Sequence, residues 1–239
     1  MKTMKITGIA VATALVALSA SYADVTLSTS APTSDILSSA GGGINTSLFD
    51  EDANDNHARG QLFSLADGTG TGYKITAITI RKDVNQTYAN DILTLRIFEG
   101  TAAQWGTGTG HSTSIDGSNY FVDTTVSPLY TEAFTLNGTF ADNNYVTFQL
   151  ATALEVSEDS DFGFLMTYDR SSTSNPDRFQ HYEGSAGGRV AITSTAHTTP
   201  STRNIHYYVQ GTVIPEPATL GLFALFGGAV MFIRRRFSI

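Results

Sequence analysis

Leu93-Thr94-Leu95-Arg96-Ile97-Phe98 places leucine, leucine and isoleucine at every second position, with threonine and arginine between them. Successive side chains of a strand point to opposite faces, whereas a helix would spread these residues round its circumference. The stretch is therefore read as a half-buried strand with residues 93, 95 and 97 inward. The same period of two sets Val146, Phe148 and Leu150 against Tyr145, Thr147 and Gln149. It sets Ile205, Tyr207 and Val209 against His206, Tyr208 and Gln210, and it puts Phe162, Phe164, Met166 and Tyr168 on one face. Residues 25–29, 61–65, 74–82, 129–136 and 189–193 are further β-rich runs. Turn chemistry at Asp67-Gly68, Asn137-Gly138 and Asp142-Asn143-Asn144 separates them.

About nine short strands, with no long helical pattern to cover a sheet, predict two sheets packed face to face. The expected fold is all-β, a β-sandwich of jelly-roll type, with a barrel as the alternative. Internal repeats are absent, which argues against a propeller or a solenoid.

Both ends of the chain read differently from this body. Lys2 and Lys5, a run of apolar or small residues over 6–18, and Ser21-Tyr22-Ala23 have the layout of a secretory signal peptide. Cleavage after Ala23 would make Asp24 the first mature residue. At the other end, Pro215-Glu216-Pro217 interrupts any regular element, because each proline lacks a donor and fixes φ. The 16 residues 218–233 carry no charge. As a helix they span about 24 Å at roughly 1.5 Å per residue, just under a hydrocarbon core of about 30 Å. Arg234, Arg235 and Arg236 follow, where the positive-inside rule puts the cytoplasmic side. The expected organisation is a signal peptide over 1–23, an extracellular body over 24–213, and a tail over 214–239 with a transmembrane helix.

The body has a lopsided charge. Of 14 basic residues five lie in the two end segments, and of 22 acidic residues one does. Nine against 21 leaves the body near −12. Nucleic acid is therefore excluded as an expected partner. Cysteine is absent, so there is no disulfide framework, thiolate metal site or cysteine nucleophile.

Ile214-Pro215-Glu216-Pro217-Ala218-Thr219-Leu220-Gly221-Leu222, the apolar stretch and the terminal arginine cluster together resemble the PEP-CTERM sorting domain. The resemblance implies a Gram-negative bacterium that makes exopolysaccharide. It implies a transient inner-membrane anchor, recognition by an exosortase near Pro215-Glu216-Pro217, and release to the cell surface or extracellular matrix. The order of the strand runs at 60–65, 75–80, 93–100, 129–132 and 162–166 is similar to the choice-of-anchor β-sandwich domains. That family has no assigned catalytic residues to carry over.

Candidate chemistry within the body is sparse. Asp50, Asp52 and Asn54 alternate as oxygen ligands, the beginning of a Ca²⁺ loop. An EF-hand is excluded, because Asp55 stands where the glycine is required and Gln61 where the glutamate is. Glu155, Glu158, Asp159 and Asp161 form a second acidic cluster, read as a solvated turn. The glycine–threonine stretches 68–72 and 106–110 lack the lysine of a phosphate loop and read as loops. None of His57, His111, His181, His197 and His206 has helical zinc spacing. Trp105, Tyr120, Phe121, Tyr168, Phe179, Tyr182, Tyr207 and Tyr208 are candidates for a sugar-stacking surface. Trp105 is preferred as the ligand residue, since no strand pattern buries it. The expected function is a non-enzymatic surface or matrix protein with a structural or adhesive role in exopolysaccharide or biofilm. A lectin-like module, with or without Ca²⁺, is the first alternative, and a glycoside hydrolase or lyase the second.

Overall fold

Backbone donors and acceptors that are buried must pair, and short runs rich in Val, Ile, Thr, Tyr and Phe pair most readily as antiparallel ladders. The computed structural model describes residues 24–39, 44–49, 58–65, 72–100, 128–157, 161–185, 187–192 and 197–214. Among them lie 14 strands: β1 (Asp24–Ser28), β2 (Asp35–Ser39), β3 (Ile44–Phe49), β4 (Ala58–Ser64), β5 (Tyr73–Arg81), β6 (Gln86–Glu99), β7 (Tyr130–Phe140), β8 (Tyr145–Val156), β9 (Asp161–Asp169), β10 (Arg178–Gly184), β11 (Arg189–Ile192), β12 (His197–Ser201), β13 (Asn204–Ile205) and β14 (Tyr207–Val213). No helix occurs among the described residues. The expected signal helix and transmembrane helix lie outside them.

Three antiparallel sheets form. One has five strands in the order β1-β8-β5-β14-β2, and another has six in the order β12-β11-β4-β9-β6-β7. A third, β13-β10-β3, sits at one end. The chain passes from β13 into β14 through His206, whose N–H donates to the Tyr182 carbonyl at 3.0 Å. One extended segment thus serves the small sheet and then the five-stranded one.

The two large sheets close face to face, as the sequence predicts. Phe134 of β7 meets Phe148 of β8 edge-on with ring centroids 5.2 Å apart, and Phe164 of β9 meets Tyr207 of β14 at 5.7 Å. Leu93, Leu95, Ile97, Val146, Phe148, Leu150, Ile205, Tyr207 and Val209 are all buried in this core. Every residue whose inward direction follows from the alternation points inward. β9 goes further, because residues 162–168 are buried on both faces. Its neighbour β4 supplies Gly60, where a Cβ would fall 2.2 Å from the Phe164 carbonyl oxygen. Only glycine permits that approach.

Asn137-Gly138 corrects the sequence reading. It is not a turn but part of β7, which continues to Phe140 opposite β6. The pairing shifts between Ala89 and Asp91, leaving Asn90 as an extra residue with φ of 61°. Asparagine tolerates that left-handed geometry, and a bulge of this kind lets both strands continue. Four strands, β2, β3, β10 and β12, are not found by apolar alternation.

Candidate functional site

Two polar constellations meet at the end of the sandwich where β5 runs out. There Lys82 forms an isolated antiparallel bridge with His181 of β10. One constellation is buried and the other faces solvent.

The buried constellation begins with Lys82, which has no exposed surface. An ammonium has three donors. Here Nζ donates to the Asp83 carbonyl at 2.5 Å, the Val84 carbonyl at 3.1 Å and Gln86 Oε1 at 2.5 Å. The left-handed backbone at Val84, with φ of 60°, accompanies that inward turn of the chain. The rings of Phe179 and Tyr88 lie 5.3 and 5.9 Å from Nζ. Burial pushes the Lys82 pKa down to about 7, against the opposing pull of Asp83 and Asp142. Gln86 is equally committed. Its Oε1 also accepts from Tyr88 Oη at 2.5 Å and from the Gln180 N–H at 3.2 Å, and its Nε2 donates to the Arg178 carbonyl at 3.0 Å.

Glu183, also fully buried, anchors the second half of this layer. Arg189 Nη1 spans its two oxygens at 3.1 and 3.0 Å, and Arg203 Nη1 stands 3.7 Å away. Burial alone would raise the Glu183 pKa. The Arg189 guanidinium spanning its two oxygens outweighs burial and holds the carboxyl below the ordinary glutamate range. His181 Nε2 lies 3.6 Å from Glu183 Oε1, too long for a hydrogen bond, and neither ring nitrogen has a hydrogen-bond partner among the described residues. Burial pushes the His181 pKa down, so the ring is neutral near pH 7. Arg59, nearly buried, has its pKa lowered to about 10 by burial and by Arg189.

The exposed constellation lies on the outward face of the five-stranded sheet. In the ladder Arg81 of β5 is opposite Tyr145 of β8, and its N–H donates to the His206 carbonyl. Tyr208 of β14 is opposite Thr79. Tyr145 and Tyr208 are half-buried, with centroids 5.8 Å apart and planes at 67°. The buried His206 ring lies against both, at 6.1 Å from Tyr145 and 5.6 Å from Tyr208, with Nε2 3.1 Å from Tyr208 Oη. The Arg81 guanidinium carbon stands 4.5 Å over the half-buried Tyr182 ring, and Nη2 donates to Asn143 Oδ1 at 2.5 Å. Tyr182 Oη donates to Asp142 Oδ1 at 3.2 Å. Asn143 takes a left-handed φ of 65°, which fixes the turn that carries Asp142 and Asn143.

The sequence-derived candidates distribute unevenly over this geometry. Tyr168, Phe179 and Tyr207 are core residues, so they are removed from the sugar-stacking set. Their side chains fill the space between sheets, which the alternation itself foretells for Tyr207 and Tyr168. Tyr182 and Tyr208 remain on the surface, joined by Tyr145, which sequence reasoning missed. Its signal is the outward parity of β8. Trp105, Tyr120, Phe121, the acidic run with Asp50, Asp52 and Asn54, and the tail residues Pro215, Glu216, Pro217, Arg234, Arg235 and Arg236 lie outside the described residues. So do Glu158, Asp159, His57 and His111. Glu155 is exposed and pairs with Lys74 at 3.8 Å. No group of three or more His, Asp or Glu side chains is arranged for a metal among the described residues.

Residues 213–236 match the PEP-CTERM protein-sorting motif. The match supports an exported, exosortase-sorted protein with membrane-anchored sorting in a Gram-negative bacterium. No curated protein and no solved structure is significantly similar to the chain.

Proposed function

We propose that the chain is a non-enzymatic component of the cell surface or extracellular matrix, with a structural or adhesive role among exopolysaccharides. Its parts are a signal peptide over 1–23, a jelly-roll body over 24–213 and a sorting tail over 214–239. The tail holds the protein in the inner membrane through its apolar stretch until an exosortase cuts near Pro215-Glu216-Pro217. The observation that carries this reading is the sorting motif at 213–236.

Strand order supports the jelly-roll assignment. The blocks β2-β14-β5-β8 and β4-β9-β6-β7 interleave, so that successive strands of these eight fall in opposite sheets, except for β6 and β7, which pair with each other. Two nested Greek keys produce that exchange. The structural role draws support from the buried ionisable groups. Lys82 spends its three donors on the protein itself, and Glu183 is held by Arg189. Groups locked in this way brace a fold rather than wait for a substrate.

Intact-mass measurement of the native protein tests the proposal. A mature chain beginning at Asp24 and ending near 215–217 is expected. A chain still ending at Ile239 in the inner membrane would refute sorting and leave a plain anchor.

A further inference from the structure

We infer that the outward cluster of Tyr145, Tyr208, Arg81, Asp142 and Asn143 is a binding site for a pyranose unit of a neutral polysaccharide. The inference takes from the proposed surface function only the availability of polysaccharide. Its geometry stands on its own.

Tyrosines on the solvent face of a sheet gain little by burial, yet these are positioned. Tyr145 and Tyr208 belong to strands either side of β5 and meet edge-to-face, with centroids 5.8 Å apart and planes at 67°, so each fixes the orientation of the other while both stay half-exposed. His206 braces both rings from a buried position and hydrogen-bonds Tyr208 Oη. The rings are therefore pre-set, which lowers the entropy lost when a ligand docks. The axial C–H face of a pyranose is apolar, and an aromatic ring is its natural contact surface.

The polar rim has unused capacity in the right places. A guanidinium offers five donors. The Arg81 side chain makes one hydrogen bond among the described residues, to Asn143, and lies flat over Tyr182. The exposed Asp142 carboxylate accepts from Tyr182 Oη through one oxygen, which leaves Oδ2 as an acceptor. The Asn143 amide has two donors and is exposed. Each sugar hydroxyl both donates and accepts, so adjacent hydroxyls match planar groups of both kinds set beside the tyrosine pair.

Charge selects the neutral class. Arg81 is the cation of the cluster, and besides burial, which raises the Tyr182 pKa most, Asp142 and Asp83 stand close enough to raise it further while Arg81 lowers it. The body carries a large net negative charge besides. A polyanion meets repulsion on approach, whereas a neutral glycan does not.

Affinity electrophoresis of the full chain in detergent, through gels holding galactomannan, xyloglucan or dextran, with alginate as polyanion, decides the matter. At least one neutral polysaccharide should retard the chain. Tyr145→Ala and Tyr208→Ala should each weaken that retardation about tenfold, the scale of one lost aromatic contact. Arg81→Met should weaken it as well. Tyr145→Phe keeps the ring and should bind within about twofold of the parent, which separates stacking from misfolding. Thr87→Ala, on the six-stranded sheet, should leave binding unchanged. Indifference to all three neutral polysaccharides, binding that survives Tyr145→Ala and Tyr208→Ala, or retardation by alginate alone would overturn the inference. None of these outcomes bears on C-terminal processing, which the intact mass reads separately.

Discussion

The core between the sheets and the layer beneath Lys82 are buried to the same degree and built on opposite principles. Around Phe148 and Phe164 burial is apolar and side chains interdigitate across the gap. Around Lys82 and Glu183 burial is polar, and each charged group depends on named partners. The first kind tolerates a change of shape at the cost of a cavity. The second kind fails group by group, because an orphaned charge keeps its desolvation penalty.

Phe148→Ala should break the first region hardest. The ring touches Phe134 at 5.2 Å and Phe179 at 6.4 Å, so truncation opens a cavity shared by both sheets and β10. A loss of about 3–5 kcal/mol is expected, read as a fall in the urea midpoint at constant m. Glu183→Gln is the matching change in the polar layer. It keeps volume but leaves Arg189 facing an amide, and should cost about 3 kcal/mol. If Glu183→Gln were the more damaging, the polar layer and not the apolar core would dominate stability.

Titration sharpens the same contrast. The folded chain holds His181 below its ordinary pKa, so the unfolded chain takes up a proton that the folded one refuses. Stability should therefore fall as pH drops through the ordinary histidine range near 6.5. Lys82 is also depressed, to about 7, so its contribution is complete only above the unfolded lysine pKa and diminishes as pH falls toward 7. Glu183 has the same sign at lower pH. Its contribution is present above the ordinary glutamate pKa and is lost as pH falls below it through the depressed folded value. His181→Phe should flatten the slope near pH 6.5 relative to the parent. Phe148→Ala should shift the whole curve down and leave its shape alone.

The two regions also differ in how far they can be read from sequence. Apolar alternation locates β6, β8, β9 and β14 and assigns their inward residues, because burial of a sheet face imposes a period of two. β10 carries the same period in Phe179, His181 and Glu183, all buried, but two of the three are polar. A pattern rule that equates inward with apolar passes over it. The partners that make this burial tolerable, Arg189 and Arg203, lie on later segments, and only the fold brings them to Glu183. Asn137-Gly138 misleads for a related reason. Its turn chemistry is real, but Asn90 on the neighbouring strand supplies the extra residue that lets β7 continue. The exposed cluster is legible in part, since the parity of β8 and β14 places Tyr145 and Tyr208 outward. Their meeting depends on β5 lying between those strands.

The smallest expected effect isolates burial from chemistry. Two threonine pairs cross the strands with nearly the same geometry. Thr79 Oγ1 and Thr147 Oγ1 are 2.7 Å apart, and Thr87 Oγ1 and Thr139 Oγ1 are 2.9 Å apart. Thr79 is fully buried and also donates to Gln210 Oε1 at 2.7 Å, whereas Thr87 and Thr139 are exposed. Valine has the same shape as threonine without the hydroxyl. Thr79→Val removes a fully buried hydroxyl and with it the donor to the half-buried Gln210 Oε1, so about 1 kcal/mol should be lost. Thr87→Val leaves Thr139 free to bond water, so the change should stay within about 0.5 kcal/mol. Urea titration of both variants against the parent reads the difference directly. Equal losses would mean that the outward face of the five-stranded sheet is wetter than its burial indicates, and the contrast between the polar and apolar regions would then rest on the Lys82 layer alone.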